Sequence, residues 1–296
     1  MKRRSGWIAI GLTGILAVSA IAADRTAHDS QSVAAQAAAD TIRANGLNVG
    51  LNDHTAVAAF PGSPIVGRIV QTLQTKTSLP LFGPTWLPMK PAMDPKPYAD
   101  VSALLYATKN HDEVTLIYTD KPVAINSPEL TSQYGGLARQ LGDFGADAYP
   151  THAAAVKAES RYWVFRQPSG AAEHISLGGG IVGVVSNIQR EHVAGNDQTY
   201  GDITWKEGAW TFQVSGSELQ DNLNVAKSMV AYIAKHPMPE KAGYVSVDNG
   251  GDGEHTEADW VLGNDVLHCG NYHDAIENLQ MVESTELLTQ DTWKKL

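Results

Sequence analysis

Three stretches of the chain bring together residue types able to hold a ligand. In "HCGNYH" the imidazoles of His268 and His273 and the thiol of Cys269 fall within six residues. Two nitrogens and a thiolate are a donor set that suits zinc or copper. No fourth ligand stands at motif spacing, so this is a partial site at most, and surface histidines are the plainer reading. In "DNGGDGEHTEAD" the acids Asp248, Asp252 and Asp259 take positions 1, 5 and 12 of a calcium-loop register, with Gly253 at the sharp-turn position 6. Oxygen ligands at those offsets can wrap a hard cation. Position 3, however, is Gly250, and position 12 is the short Asp259. An Asp/Asn/Gly turn joining two strands is therefore favoured; no cofactor is expected, and calcium is the alternative. "GGGIVG", Gly178 to Gly183, fits G-x-G-x-x-G with Asp202 19 residues later. A dinucleotide site needs a helix to open there, whereas "IVGVVS" is β-branched and reads as strand.

The remaining candidates are aromatic. Trp205 and Trp210 flank Lys206-Glu207-Gly208-Ala209, and Trp163 lies in "RYWVFRQ". Core packing is the ordinary use of such residues, and lining a ligand groove is the sharper one. No G-x-S-x-G, H-E-x-x-H or P-loop occurs, so no catalytic residue can be named. Catalytic groups are recognised by geometry rather than spacing, which keeps open a hydrolase whose site is assembled only in the fold.

The elements that would position these residues follow from periodicity. "VSALLYAT" and "EVTLIYT" flank the turn-like Lys109 to Asp112 and read as a hairpin. "RYWVFRQ", "AEHISL" and "IVGVVS" read as further strands. Ile203 and Trp205, then Trp210, Phe212 and Val214, alternate around a turn at Lys206 to Gly208 and predict another hairpin. Ser217 then caps a helix whose Leu219, Leu223, Ala226, Met229, Val230 and Ile233 form one apolar stripe, stopped by Pro237 and Pro239. The unit has an echo: Trp-x-x-Gly at Trp205 and again at Trp260, then Ala226-Lys-Ser and Val282-Glu-Ser, 23 residues from Trp205 to Ser228 and 24 from Trp260 to Ser284. The expected fold class is α+β, an antiparallel sheet of hairpins packed against amphipathic helices, with an internal hairpin-helix repeat.

Lys2, Arg3 and Arg4, an apolar run from Trp7 to Val18 and small residues at Ala20, Ala22 and Ala23 have the three-part layout of a secretory signal over residues 1–23. A secreted or extracytoplasmic location is expected, with the membrane involved only if that segment stays uncleaved as an anchor. Residues 24–75, rich in Ala, Ser and Gln, read as a linker with a weak helix, 76–286 as a single α+β domain and 287–296 as a tail. The formal net charge is −10, and from Asp248 to Leu296 there are 11 Asp and Glu against Lys294 and Lys295. Such a surface repels nucleic acid. The single cysteine cannot staple the fold, so stability must come from a core.

"PTWLP" (Pro84 to Pro88), the Trp-x-x-Gly hairpin and the helix with Ala-Lys-Ser resemble a group of uncharacterised exported proteins of Gram-positive spore-forming bacteria. Their domain is similar to the sheet-on-helix domains of sigma-factor regulators and lipoprotein carriers. The resemblance spans Leu79 to Glu286. It implies an α+β binding or regulatory domain and supplies no catalytic residues; the expected function is a non-catalytic binding or regulatory module, with a small molecule, peptide or envelope component as partner.

Overall fold

Runs of β-branched and aromatic residues with a period of two build one ten-stranded sheet in the computed structural model, which describes residues 64–88, 100–136, 139–162, 172–193, 196–250, 254–272 and 274–288. The strands are β2 (Asp100–Ala107), β3 (His111–Thr119), β4 (Gln140–Ala148), β5 (Glu173–Gly178), β6 (Ile181–Val193), β7 (Asn196–Glu207), β8 (Trp210–Ser215), β9 (Gly243–Asp248), β10 (His255–Leu262) and β11 (Asp265–Asn271). They lie in the order β2-β3-β4-β11-β10-β9-β8-β7-β6-β5. Two short strands, β1 (Phe82–Pro84) and β12 (Thr285–Leu287), pair apart from it. Every neighbouring pair is antiparallel except β8 and β9. That pair is parallel because a helix, α4 (Leu219–Ile233), carries the chain back between them.

Alternation assigns every strand residue to one of two faces. The front holds Val114, Phe144, Leu267, Trp260, Val245, Phe212 and Ile203, all buried. Over it lie α1 (Pro64–Leu73), α4 and α5 (Ala275–Glu283). Among the described residues the back is covered by helices only in places. There α2 (Pro128–Ser132) brings Leu130 onto Ile117 and Leu104, and α3 (His152–Tyr162) brings Ala155 onto Val261 and Val266.

The hairpin-helix repeat is present. In β7-β8-α4, Trp205 pairs with Phe212 across a turn at Gly208; in β10-β11-α5, Trp260 pairs with Leu267 across a turn at Gly263. Both glycines need positive φ, +59° and +66°, a region costly for residues with a Cβ. The fourth helical residue in each copy is a buried asparagine. Asn222 donates through Nδ2 to the carbonyls of Gly201 and Ser217, at 3.0 and 3.1 Å, and Asn278 donates to those of Thr256 and Cys269, at 3.2 and 3.1 Å. Each fastens its helix to the strands beneath.

The structure adds to or departs from the local readings at four places. The helix α1 falls inside the segment read as linker, yet Ile65, Val66, Ile69, Val70 and Leu73 are at most 5% exposed and belong to the main core. Its stripe is short, and the apolar-poor residues upstream mask it. Arg161 and Tyr162, read as the start of a strand, end α3 instead. The position before α4 is Glu218, whose side chain makes no capping bond; the carbonyl of Ser217 is instead bound by Asn222. The parallel β8-β9 pair is the fourth departure.

Candidate functional site

Four adjacent strands, β3, β4, β11 and β10, contain no Lys or Arg. Their back face carries His111 and Glu113, then Asp147, Gly145 and Asp143, then His268 and Gly270, then Asp259, Glu257 and His255. The register sets His268 opposite Gly145 and Asp143 opposite Gly270. A Cβ on Gly145 would stand 2.7 Å from Cε1 of His268, and one on Gly270 would stand 2.9 Å from Oδ1 of Asp143. Each strand therefore lays a polar side chain over the other's glycine, and two half-buried ionisable groups sit side by side on the sheet floor.

Their neighbours set their charge. The Nδ1 of His111 donates to Oδ1 of Asp147 at 2.9 Å and its Nε2 stands 3.7 Å from Glu113. These carboxylates outweigh burial and push the imidazole up to about 10, so it stays protonated at neutral pH. His268 is stacked against it, ring centroids 6.4 Å apart at 15°. Burial, and to a lesser extent the His111 charge, pull His268 down despite nearby carboxylates, which keeps it neutral. Burial, then the charges of Glu257 and Glu113, push Asp143 up to about 7, while Gln140 donates to its Oδ2 at 3.1 Å. At the far end Tyr272 stacks flat on His255 at 4.2 Å, and His255 stands 3.3 Å from Glu257. Burial pulls His255 down, but Glu257, Asp143 and Asp248 together leave it raised.

A concavity lies on the front. Between α4 and the start of α5 there is a cavity of about 360 Å³ lined by residues that include Asp221, Asn224, Met229, Glu254, Asp274 and Ile276. Two of its acids cap α5, where free amides favour negative charge: Asp274 accepts from the Ile276 amide, and Oε2 of Glu254 accepts from the Ala275 amide, both at 2.7 Å. Burial, then the charge of Asp274, push the Glu254 carboxyl up to about 7. No Lys or Arg lines the cavity among the described residues.

The residues singled out from sequence are dispersed. Trp205 and Trp210 are each 2% exposed in the front core, where Trp205 stacks on Phe212 at 5.0 Å and Trp210 lies 6.1 Å from Trp260. Neither lines a groove, because the alternation that pairs them also turns both toward the helices. Trp163 lies outside the described residues. His268 and Cys269 are successive residues of β11, so they point to opposite faces and cannot bind one ion; His273 lies outside the described residues. Burial raises the Cys269 thiol well above its usual range, which keeps it protonated. For calcium, Asp248 pairs with His255 and Asp259 with Tyr244. The two acids thus sit four residues apart along one hairpin, ~13 Å at ~3.3 Å per residue, too far to share an ion. Asp252 lies outside the described residues. Among the described residues no group of three or more His, Cys, Asp or Glu is arranged to hold a metal ion. "GGG" is the β5-β6 turn, with Gly178, Gly179 and Gly180 all at positive φ and strand on both sides; Asp202 accepts from Nδ2 of Asn187 at 2.6 Å.

Sequence reasoning missed both the back-face row and the front cavity. The signals available were the absence of Lys and Arg from four strands and the paired patterns "DFG" at Asp143 and "HCG" at His268, each a polar residue two before a glycine.

No protein-family model matches this chain, and no curated protein matches it. Among solved structures, one crystal structure from Bacteroides thetaiotaomicron is similar over 63% of this chain at 9% identity, with a TM-score of 0.17. The chain spans 45% of that protein's length.

Proposed function

We infer that the protein is a non-catalytic extracytoplasmic binding module whose ligand presents a positive charge, such as an amine or a basic peptide side chain, to the cavity between α4 and α5. The observation that carries this reading is that cavity: about 360 Å³ between the helices of the two repeats, with Asp221, Glu254 and Asp274 on its walls and apolar Met229 and Ile276 beside them. A small apolar concavity with a few convergent charges is the usual form of a small-ligand site. The signal-like N-terminus supports the extracytoplasmic location, and the resemblance to exported proteins agrees with it.

Calorimetric titration with 1,4-diaminobutane and with a short lysine-rich peptide tests the reading, with glutamate as control. Binding of the cations is expected. It should be stronger at pH 8 than at pH 5.5, because Glu254 holds its proton below about 7 and must release it to a cation. Asp221 and Ser228 are exposed on α4, so Asp221→Asn and Ser228→Trp should weaken binding while leaving the melting temperature unchanged. Absence of heat with both cations, or binding that neither substitution weakens, would overturn the reading.

A further inference from the structure

The back face carries a second candidate, distinct in place and chemistry from the cavity. We propose that the His268-Asp143 row, from Tyr106 on β2 to Tyr272 beyond β11, binds a neutral carbohydrate, its hydroxyl groups held by the histidines and carboxylates and a sugar ring resting on Tyr106.

Four observations select this ligand. An anion is excluded, because the back face of β3, β4, β11 and β10 carries five carboxylates, Glu113, Asp143, Asp147, Glu257 and Asp259, and neither Lys nor Arg. A metal ion is excluded by the geometry of the described residues. An organic cation finds little uncommitted charge, since Asp147 and Glu113 already hold the His111 imidazolium and Glu257 pairs with His255. What this face offers instead is a dense row of hydrogen-bonding atoms of both kinds. Carboxylate oxygens accept, and the neutral imidazole of His268 has one nitrogen that donates and one that accepts. Sugar hydroxyls, each a donor and an acceptor, complement such a row.

The aromatic ends fit the same ligand. Tyr106 is 59% exposed, and its ring lies 5.5 Å from that of His111 at 54°. An exposed ring beside hydrogen-bonding groups presents an apolar face of the kind that packs against the C–H face of a pyranose. At the other end, the flat Tyr272-His255 stack continues the row. Between these ends the glycines let the row lie close to the sheet: His268 lies over Gly145 and Asp143 over Gly270.

The test is calorimetric titration of the full chain with soluble maltooligosaccharides, cellooligosaccharides and chitooligosaccharides, preceded by a glycan array to choose the best series. Binding of at least one series is expected. Tyr106→Ala and Glu257→Gln, at exposed positions, should each weaken it about tenfold with no change in melting temperature. Ser228→Trp, on the opposite face, should leave it unaffected, and Tyr106→Ala should leave diaminobutane binding unaffected, which separates this site from the cavity. No glycan bound, glycan binding insensitive to both back-face substitutions, or a lysine-rich peptide captured by this face in place of glycan would each overturn the proposal.

Discussion

Trp210 on the front of the sheet and His268 on the back use one backbone device for opposite ends. Each is a ring laid over a glycine on the neighbouring strand: a Cβ on Gly243 would stand 2.7 Å from Cη2 of Trp210, and one on Gly145 would stand 2.8 Å from Nε2 of His268. On the front the glycine admits an indole that joins Phe212 and Trp260 in a buried stack, with its one polar atom donating to the Pro239 carbonyl at 2.9 Å. On the back it admits an imidazole whose neighbours are His111, Asp147 and Glu113. A glycine in a strand thus marks a close approach and does not say what approaches. The partner's chemistry decides whether the approach closes a core or assembles a polar site.

The contrast can be broken by removing what each glycine admits. Trp210→Ala should have the largest effect, a loss of ~3–5 kcal/mol, because it empties the centre of the front core. Urea denaturation measures it, and a loss below ~1 kcal/mol would show that the front stack carries little of the stability. Gly145→Ala should cost less, ~1–3 kcal/mol, since the new methyl presses on the Asp112 carbonyl as well as on His268. It should also lift His268 toward solvent and raise its pKa toward the ordinary value, which NMR titration of the imidazole would follow. An unchanged His268 would mean that the glycine serves the backbone alone.

The two repeats sharpen the same contrast. Asn278→Ala removes two buried hydrogen bonds to strand carbonyls, and Asn222→Ala removes one to the strand carbonyl of Gly201 and one to the carbonyl of Ser217 just before the helix. Each should cost ~1–3 kcal/mol. If only one does, the copies are alike in shape and not in energetics.

The smallest expected effect is on pH dependence. Burial raises Asp143, Glu159 and Glu254 to about 7 and Asp112 to about 6. A carboxyl with a raised folded-state pKa binds its proton more tightly in the folded chain, so its contribution is complete below the unfolded value and is lost as pH rises through the folded one. His111, raised to about 10, acts in the same direction from the ordinary histidine value up to 10, while His268, lowered, favours folding as pH rises. The melting temperature should therefore fall by a few degrees between pH 5 and pH 8, and Asp143→Asn should flatten part of the slope. A melting temperature that rises over this interval would contradict the assigned directions.

Much of the architecture was legible because its causes are local. The period of two in "ITW" and "WTFQV", the glycines at 208 and 263, and the three- and four-residue steps from Leu219 to Ile233 predict hairpins and a helix, and the structure has them. The repeat was legible from two short echoes, since like turns and like helix starts leave spacings that differ by a single residue, 23 against 24. The tertiary structure alone decided which strands became neighbours. The meeting of β4 with β11, more than a hundred residues apart in sequence, brings Asp143 beside Gly270 and His268 beside Gly145, and no local period encodes that register. It likewise decided that Trp205 and Trp210 face helices and that His268 and Cys269 part to opposite sides. A residue's type and spacing say what it can do; which face of the sheet it reaches, and who stands opposite, depends on long-range pairing and burial.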